Sequence, residues 1–321
     1  MSDIREPILI TGAAGFIGSN LLRRLIKKKF KVNVFINQKT NLWRIKDLLN
    51  DTNIYFVDLT NKKKLSLLIK QVKPKTIFHL SAYGAYPFQN FTDLIKKVNL
   101  DVTMNLLHSC EKYGFEKFIN TGSSSEYGFK NKKMSEQDLL SPNSHYAVFK
   151  SASTMFCQYE AKSKLLPITT LRPFHVYGPY EEPSRLIPTL VKQLSNNISP
   201  KLVSPHISRD LIYIDDVIDY YLLSCKNDRV NGEIFNIGSG KSTNLRKIYT
   251  TINAFLNSSR KPQWNTMKNR KWDQNIWVAD MKKTKDVFNK KNSVDLNTGI
   301  KKFIKWYKNN YKIYEKIRNR G

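Results

Sequence analysis

Three glycines, Gly12, Gly15 and Gly18, separate the apolar run Ile8–Ile10 from a stripe in which Phe16, Ile17, Leu21, Leu22, Leu25 and Ile26 recur at helical spacing. Few folds pass from strand to helix through a glycine at every third position. Glycine lets the backbone turn sharply and removes the side chain that would hold a phosphate away. Amides at a helix start lack intrahelical partners and carry partial positive charge, so such a turn can hold a pyrophosphate. The spacing alone also fits a tight turn with no ligand. Its place, after a strand and at the head of an amphipathic helix, favours dinucleotide binding.

The next segments keep the same rhythm. Val32–Ile36, Ile54–Val57, Thr76–Leu80, Lys117–Thr121 and Ile168–Leu171 read as strands. Between them, Leu65–Ile69 sits on a helix ending before Pro74, and longer helices are expected over Phe91–Tyr113 and Tyr146–Lys162. This alternation predicts an α/β fold, a doubly wound parallel sheet with helices on both faces. After Arg172-Pro173 it breaks, and Pro179, Pro183, Pro188, Pro200 and Pro205 mark an irregular excursion. Leu211–Ile214 reads as a returning strand, with a helix starting at Asp215 or Asp216. Near the C-terminus Phe303, Ile304, Tyr307, Tyr311 and Tyr314 form a stripe among lysines, suited to a docked terminal helix or to a membrane surface.

Composition narrows the class of protein. The chain has 321 residues and a net charge of +28. That excess either serves an acidic partner or reflects the Lys-, Asn- and Ile-rich composition of an AT-rich genome. No helix-turn-helix, zinc-knuckle or RNA-recognition signature supports nucleic-acid binding. Cys110, Cys157 and Cys225 are widely spaced and odd in number, so free thiols are expected. The histidines show no metal-ligand spacing, and no metal is expected. The start, MSDIREPILI, does not read as a signal peptide, and no apolar run is long enough for a membrane span. A cytoplasmic protein is expected.

Candidate cofactor residues lie at the carboxyl ends of the strands, where ligands gather in such sheets. Asp58, followed by Leu59, could accept from an adenine amino group or cap the next helix. In Leu80-Ser81-Ala82, at the end of the fourth strand, small residues would let the backbone approach a cofactor, and His79 before them fits either the core or the site. At the end of the second strand an acidic residue would hold a ribose hydroxyl, whereas a cation would suit a 2′-phosphate. Phe35-Ile36-Asn37-Gln38-Lys39-Thr40 contains no carboxylate, while Lys39 and Arg44 supply charge. NADP(H) is therefore expected over NAD(H).

Tyr146 and Lys150 are four apart on an expected helix and share a face. A phenol titrates near pH ~10 and is a poor acid-base at neutrality. A neighbouring ammonium would favour the phenolate and bring that proton within reach. Y-x-x-x-K is common as a surface pair. Here it follows Gly122-Ser-Ser-Ser-Glu-Tyr-Gly128, whose serines could hold the oxygen that Tyr146 protonates.

TGAAGFIGS, the Ser-Ser-Ser-Glu-Tyr-Gly loop, Tyr146-x-x-x-Lys150, Leu171-Arg-Pro-Phe-His-Val-Tyr-Gly-Pro179 and Arg209-Asp-Leu-Ile-Tyr-Ile-Asp-Asp-Val217 together resemble the extended short-chain dehydrogenase/reductase family, and within it the sugar-nucleotide epimerases, dehydratases and ketoreductases. The resemblance implies a Rossmann-type domain over residues 1–172 plus about 207–236, and a smaller C-terminal α/β substrate domain over 173–206 plus about 237–321. It implies Ser123 as catalytic serine with Ser124 its rival, Tyr146 as acid-base, and Lys150 as activator and ribose ligand. Gly12, Gly15, Phe16, Ile17 and Pro173 would line the cofactor. Asn99, His175, Arg209 and Arg270 would meet a nucleoside-diphosphate sugar, the arginines through bidentate contact with the diphosphate. It further implies a homodimer packed through Phe91–Tyr113 and Tyr146–Lys162.

Two departures refine the reaction. The 4,6-dehydratases carry an Asp-Glu pair where this chain has Ser124 and Ser125, which argues against dehydration. His175 stands in place of the usual asparagine. The serine loop and Asn41-Leu-Trp-Arg-Ile45 resemble the 4-ketoreductases typified by CDP-abequose and CDP-paratose synthases. The expected activity is NADPH-dependent reduction of a nucleotide-linked 4-keto-6-deoxy sugar. A 4-epimerase is the alternative, and a non-catalytic cofactor-sensing or nucleic-acid-binding protein a remote one.

Overall fold

The computed structural model describes residues 4–86, 88–130, 132–267 and 276–318. Its strands are β1 (Ile8–Thr11), β2 (Val32–Ile36), β3 (Asn53–Phe56), β4 (Thr76–His79), β5 (Lys117–Thr121), β6 (Ile168–Pro173), β7 (His175–Tyr177), β8 (Ser208–Arg209), β9 (Leu211–Tyr213), β10 (Ile234–Ile237) and β11 (Thr243–Asn244). Seven form one parallel sheet in the order β10-β6-β5-β4-β1-β2-β3. The chain winds one way from β1 to β3, then returns to lay β4, β5, β6 and β10 on the other side. The strand order reverses between β1 and β4, which opens a crevice at their carboxyl ends.

Helices cover both faces: α1 (Phe16–Lys27), α2 (Lys62–Val72), α3 (Thr92–Lys96), α4 (Val102–Glu111), α5 (His145–Lys164), α6 (Leu186–Ser195), α7 (Ile214–Lys226), α8 (Leu245–Leu256), α9 (Lys282–Phe288) and α10 (Leu296–Arg318). Side chains alternate along each strand, so Ile8 and Ile10 enter one core and Leu9 the other. The first core holds residues of α1 and α7, the second those of α2, α4 and α5. Burial on both faces explains the unbroken apolar strands.

The expected elements recur with ends shifted by a residue or two, and three features differ. The helix over Phe91–Tyr113 contains a π turn, Lys97–Asp101, between α3 and α4. Leu211–Tyr213 joins not the main sheet but a small parallel pair with β7. The proline-rich excursion hides α6, in which Pro188 takes the third helical position. An N–H there has no intrahelical acceptor, so proline forfeits nothing. The tyrosine-lysine stripe is α10, docked on the protein through Ile300, Phe303, Ile304, Tyr307 and Tyr314, while Tyr311 stays exposed. No helix among the described residues is long and apolar enough to cross a membrane. The three cysteines are buried and free.

His79 belongs to the core. Thr103 Oγ1 donates to Asn99 O at 2.9 Å, which leaves it to accept from His79 Nε2, also at 2.9 Å. His79 Nδ1 then accepts from Thr11 Oγ1 at 2.7 Å, so the ring joins β1, β4 and α4 as a neutral imidazole. Burial, with a smaller push from Lys150, lowers its pKa to about 3. The unfolded chain takes up this proton near pH ~6.5, so the stabilisation is whole above that pH and is lost as pH falls toward 3. Acidification from pH 7 to 5 is expected to destabilise the protein through His79 by roughly 1.4 kcal/mol per pH unit below ~6. Urea unfolding at both pH values checks this. His79→Gln should lose that part of the dependence, and an unchanged dependence contradicts the assignment.

Candidate active site

The glycine loop makes the turn and lines an open cleft. Gly12 has φ +75°, and a Cβ there would lie 2.6 Å from the Leu80 carbonyl carbon. A Cβ on Gly18 would collide with the Gly12 carbonyl oxygen. These two residues therefore let β1, α1 and the end of β4 pack closely. Gly15 caps α1 without a side-chain hydrogen bond, and the first turn has no acidic residue. The amides around Phe16 and Ile17 thus meet the cleft as an uncapped positive helix end. A pyrophosphate fits this cradle.

The cleft above the switch point measures about 2030 Å³. That exceeds the roughly 300–1,000 Å³ of a pocket for one small ligand and leaves room for two. Gly12, Gly15, Phe16 and Ile17 form one wall, Leu80, Ser81 and Ala82 the next, and Pro173 lies at the end of β6. Asp58 and Leu59 lie at the rim. Asp58 does not cap α2; Asn61 does, accepting from Lys64 N at 3.1 Å. Asp58 instead accepts from the amide and hydroxyl of Thr60 at 2.9 and 2.8 Å.

Ser123, Tyr146 and Lys150 converge at the carboxyl end of β5. Ser123 caps a short 3-10 turn, Ser124–Tyr127, accepting from Ser125 N at 3.1 Å, while Glu126 Oε1 accepts from Ser123 N at 2.7 Å. Glu126 is fully buried and also accepts from Arg172 Nε at 2.8 Å and Thr154 Oγ1 at 3.1 Å. One carboxylate thereby locks the serine loop to β6 and α5. The Ser123 side chain lies close enough to the Tyr146 hydroxyl to lower the phenol's pKa. Ser124 is engaged elsewhere, its Oγ accepting from Trp277 Nε1 at 3.1 Å. Of the two candidate serines, Ser123 alone pairs with the tyrosine.

The electrostatics correct the expected activation. Burial pushes the Tyr146 phenol up to about 12; the Ser123 hydrogen bond pulls it back and the Glu126 charge pushes it further. Lys150 is itself pushed down to about 8 by burial, partly opposed by Glu126. Its ammonium donates to Thr121 O at 2.6 Å. Burial is the largest influence on the phenol and favours its protonated form.

Other expected ligands have different roles. Arg44 lines the cleft, is largely buried, and donates to Tyr180 O and Glu182 Oε2, each at 2.8 Å, so its charge is already paired with a carboxylate. Lys39 is exposed on the turn after β2. Asn99 is fully buried in the π turn and donates to Tyr83 O at 2.6 Å and Ile95 O at 2.8 Å. It braces the loop beside the cleft rather than entering it. His175 and Arg209 do line the cleft; burial, with Arg209 and Arg185, holds the imidazole pKa well below its ordinary value. Arg209 NH1 donates to Ser208 O at 2.8 Å. Arg270 lies outside the described residues. Trp277 and Arg185 also line the cleft and are not among the expected site residues. Arg185 lies over the Tyr86 ring, 4.7 Å from its centroid, and both line the cleft. The cap position before α6 was the one available signal for Arg185.

Comparison with known proteins agrees with this geometry. The NAD dependent epimerase/dehydratase family matches residues 8–238. YtcB of Bacillus subtilis, described as an uncharacterized UDP-glucose epimerase, is 31% identical over 306 residues, 91% of this chain and 95% of its own. The dTDP-4-dehydro-6-deoxyglucose reductase of Escherichia coli is 28% identical over 318 residues, 95% of this chain and 98% of its own. The solved structure of UDP-glucuronic acid 4-epimerase from Bacillus cereus in complex with NAD superposes with a TM-score of 0.82 at 27% identity, covering 95% of this chain and 97% of that one. With the Rossmann-type sheet, the glycine cradle and the Ser-Tyr-Lys set in place, the chain belongs to the NAD dependent epimerase/dehydratase family, enzymes of the extended short-chain dehydrogenase/reductase type that act on sugar nucleotides with NAD(P).

Proposed function

We propose that the protein is an NADPH-dependent 4-ketoreductase acting on a nucleoside-diphosphate-linked 4-keto-6-deoxy sugar. The observation that carries this reading is the Ser123 side chain set beside the Tyr146 phenol, both lining the cleft. No carboxylate stands beside it at position 124 or 125, where elimination would need an acid-base pair. Two hydroxyls aimed at one place suit a carbonyl oxygen, which Ser123 binds and Tyr146 protonates. The bound dinucleotide supplies hydride. Tyr146 holds its proton until the oxygen gains charge, and the Lys150 ammonium then stabilises the phenolate left behind. Arg209 is assigned to the diphosphate, with Arg270. The E. coli reductase, matched along almost its whole length, supports this reading. Preference for NADPH is supported by the missing carboxylate after β2 and by the cations nearby, Arg44 lining the cleft though paired with Glu182 and Lys39 exposed on the turn.

A 4-epimerase is the second reading, favoured by the B. subtilis and B. cereus relatives. It uses the same residues and differs in turnover. A homodimer through α3–α4 and α5 is supported by Phe91, Leu94, Val148, Met155 and Tyr159, large apolar side chains left exposed on and beside those helices.

Incubation with a 4-keto-6-deoxy sugar nucleotide should consume one NADPH per product; interconversion of C4 epimers without net NADPH loss contradicts the reductase and supports the epimerase. Tyr146→Phe should fold and bind NADP⁺ normally yet lose at least about a thousandfold in kcat, at or above the loss of one general acid. Near-normal turnover removes Tyr146 from the mechanism. The reductive kcat/KM should fall above about pH 8 as Lys150 loses its proton. A rise between pH 8 and 10 contradicts a role for the ammonium.

A further inference from the structure

Beyond Ser123 the cleft is closed by Trp277, which has no part in the chemistry above. The residue lines the cleft and is 7% exposed. Its ring stands edge-on to His175, with centroids 6.4 Å apart and planes at 88°. Its N–H donates to Ser124 Oγ at 3.1 Å, and Ser124 is the chain neighbour of the serine paired with Tyr146. The indole therefore sits next to the place where the reacting oxygen is held. An indole has one donor and no acceptor. With that donor engaged by Ser124, only ring carbon faces the cleft. Across from it, His175 Nδ1 is buried without a hydrogen-bond partner among the described residues. The corner thus presents an apolar ring face beside a neutral imidazole nitrogen, with Arg209 and Arg185 near enough to that imidazole to depress its pKa.

Given that the site binds a nucleotide-linked sugar, as proposed above, we propose that Trp277 is a specificity-determining residue. It admits a sugar whose substituent beside the reacting carbon is a methyl group, and it disfavours a hydroxymethyl group there. A hydroxyl pressed against the indole would lose its bonds to water and gain none. His175 meets a ring hydroxyl instead, through its unpartnered nitrogen. An apolar pocket discriminates against an added hydroxyl by about tenfold to a hundredfold.

Titration calorimetry on the NADP⁺-bound protein tests this, with 6-deoxyglucose and glucose linked in turn to dTDP and UDP. The wild type should bind the 6-deoxy sugar at least about tenfold more tightly on whichever nucleotide it accepts. Trp277→Phe keeps the carbon wall and should keep the preference. Trp277→Ser replaces the ring by a hydroxyl, and in a protein shown to fold by thermal unfolding and NADP⁺ binding the preference should collapse. Equal binding by the wild type overturns the proposal, as does an undiminished preference in folded Trp277→Ser. If Trp277→Ser does not fold, the wild type and Trp277→Phe decide it, since loss of the preference in Trp277→Phe would assign it to the N–H rather than the wall. If the wild type binds neither sugar on either nucleotide, the nucleotide-sugar reading itself falls, and this proposal with it.

Discussion

The buried carboxylate of Glu126 is the constraint on which the site depends. It joins the Ser123 amide, the Thr154 hydroxyl and the Arg172 guanidinium, groups from the serine loop, α5 and β6. Arg172 also donates to Tyr127 Oη at 3.1 Å, and Tyr127 donates to Asn236 on β10 at 2.6 Å. Such a network is favourable only when complete: removing one partner of a buried ion pair costs about 3–5 kcal/mol, because the other charge is left unpaired. Even the glycine before the serine obeys it, since a Cβ on Gly122 would lie 2.6 Å from Glu126 Oε1. Ser123 is thereby held rigidly against the helix that carries Tyr146 and Lys150.

Rigidity of that kind favours a mechanism in which little moves but a proton. Tyr146 lies where burial keeps its hydroxyl protonated, and Ser123 orients it. Charge developing on a bound oxygen is what would draw the proton off, so the acid is strong only when substrate is present. On the proposed mechanism Lys150 would answer the phenolate once it forms rather than ionise the phenol beforehand. On the same proposal the glycine loop would hold the cofactor through backbone geometry, since the first turn of α1, Phe16-Ile-Gly-Ser19, has no cationic side chain.

Much of the fold was legible because the sheet is covered on both sides, which writes strands as short apolar runs and helices as stripes. That the glycine loop, Ser123, Tyr146 and Lys150 gather at one cleft was legible because local spacing and the strand ends place them there. What stayed hidden depends on distant partners. Arg44 looks like a free cation until Glu182, 138 residues away, is seen to bind it. Asn99 resembles a ligand until the π turn places its amide on the Tyr83 and Ile95 carbonyls. The shift of Tyr146 was misjudged for the same reason: Lys150 is visible at i+4, whereas burial comes from the whole fold. Trp277 carries no local signal, because its meaning lies in Ser124, 153 residues earlier.

The central claim is that the Ser123–Tyr146 pair receives the oxygen of a sugar carbon that accepts hydride. It is tested most directly by incubating a 4-keto-6-deoxy sugar nucleotide with NADPH dideuterated at the nicotinamide C4 and locating the label by NMR. The account predicts one deuterium at sugar C4 in the wild type. Product without deuterium at C4, or with it on another carbon, would contradict it.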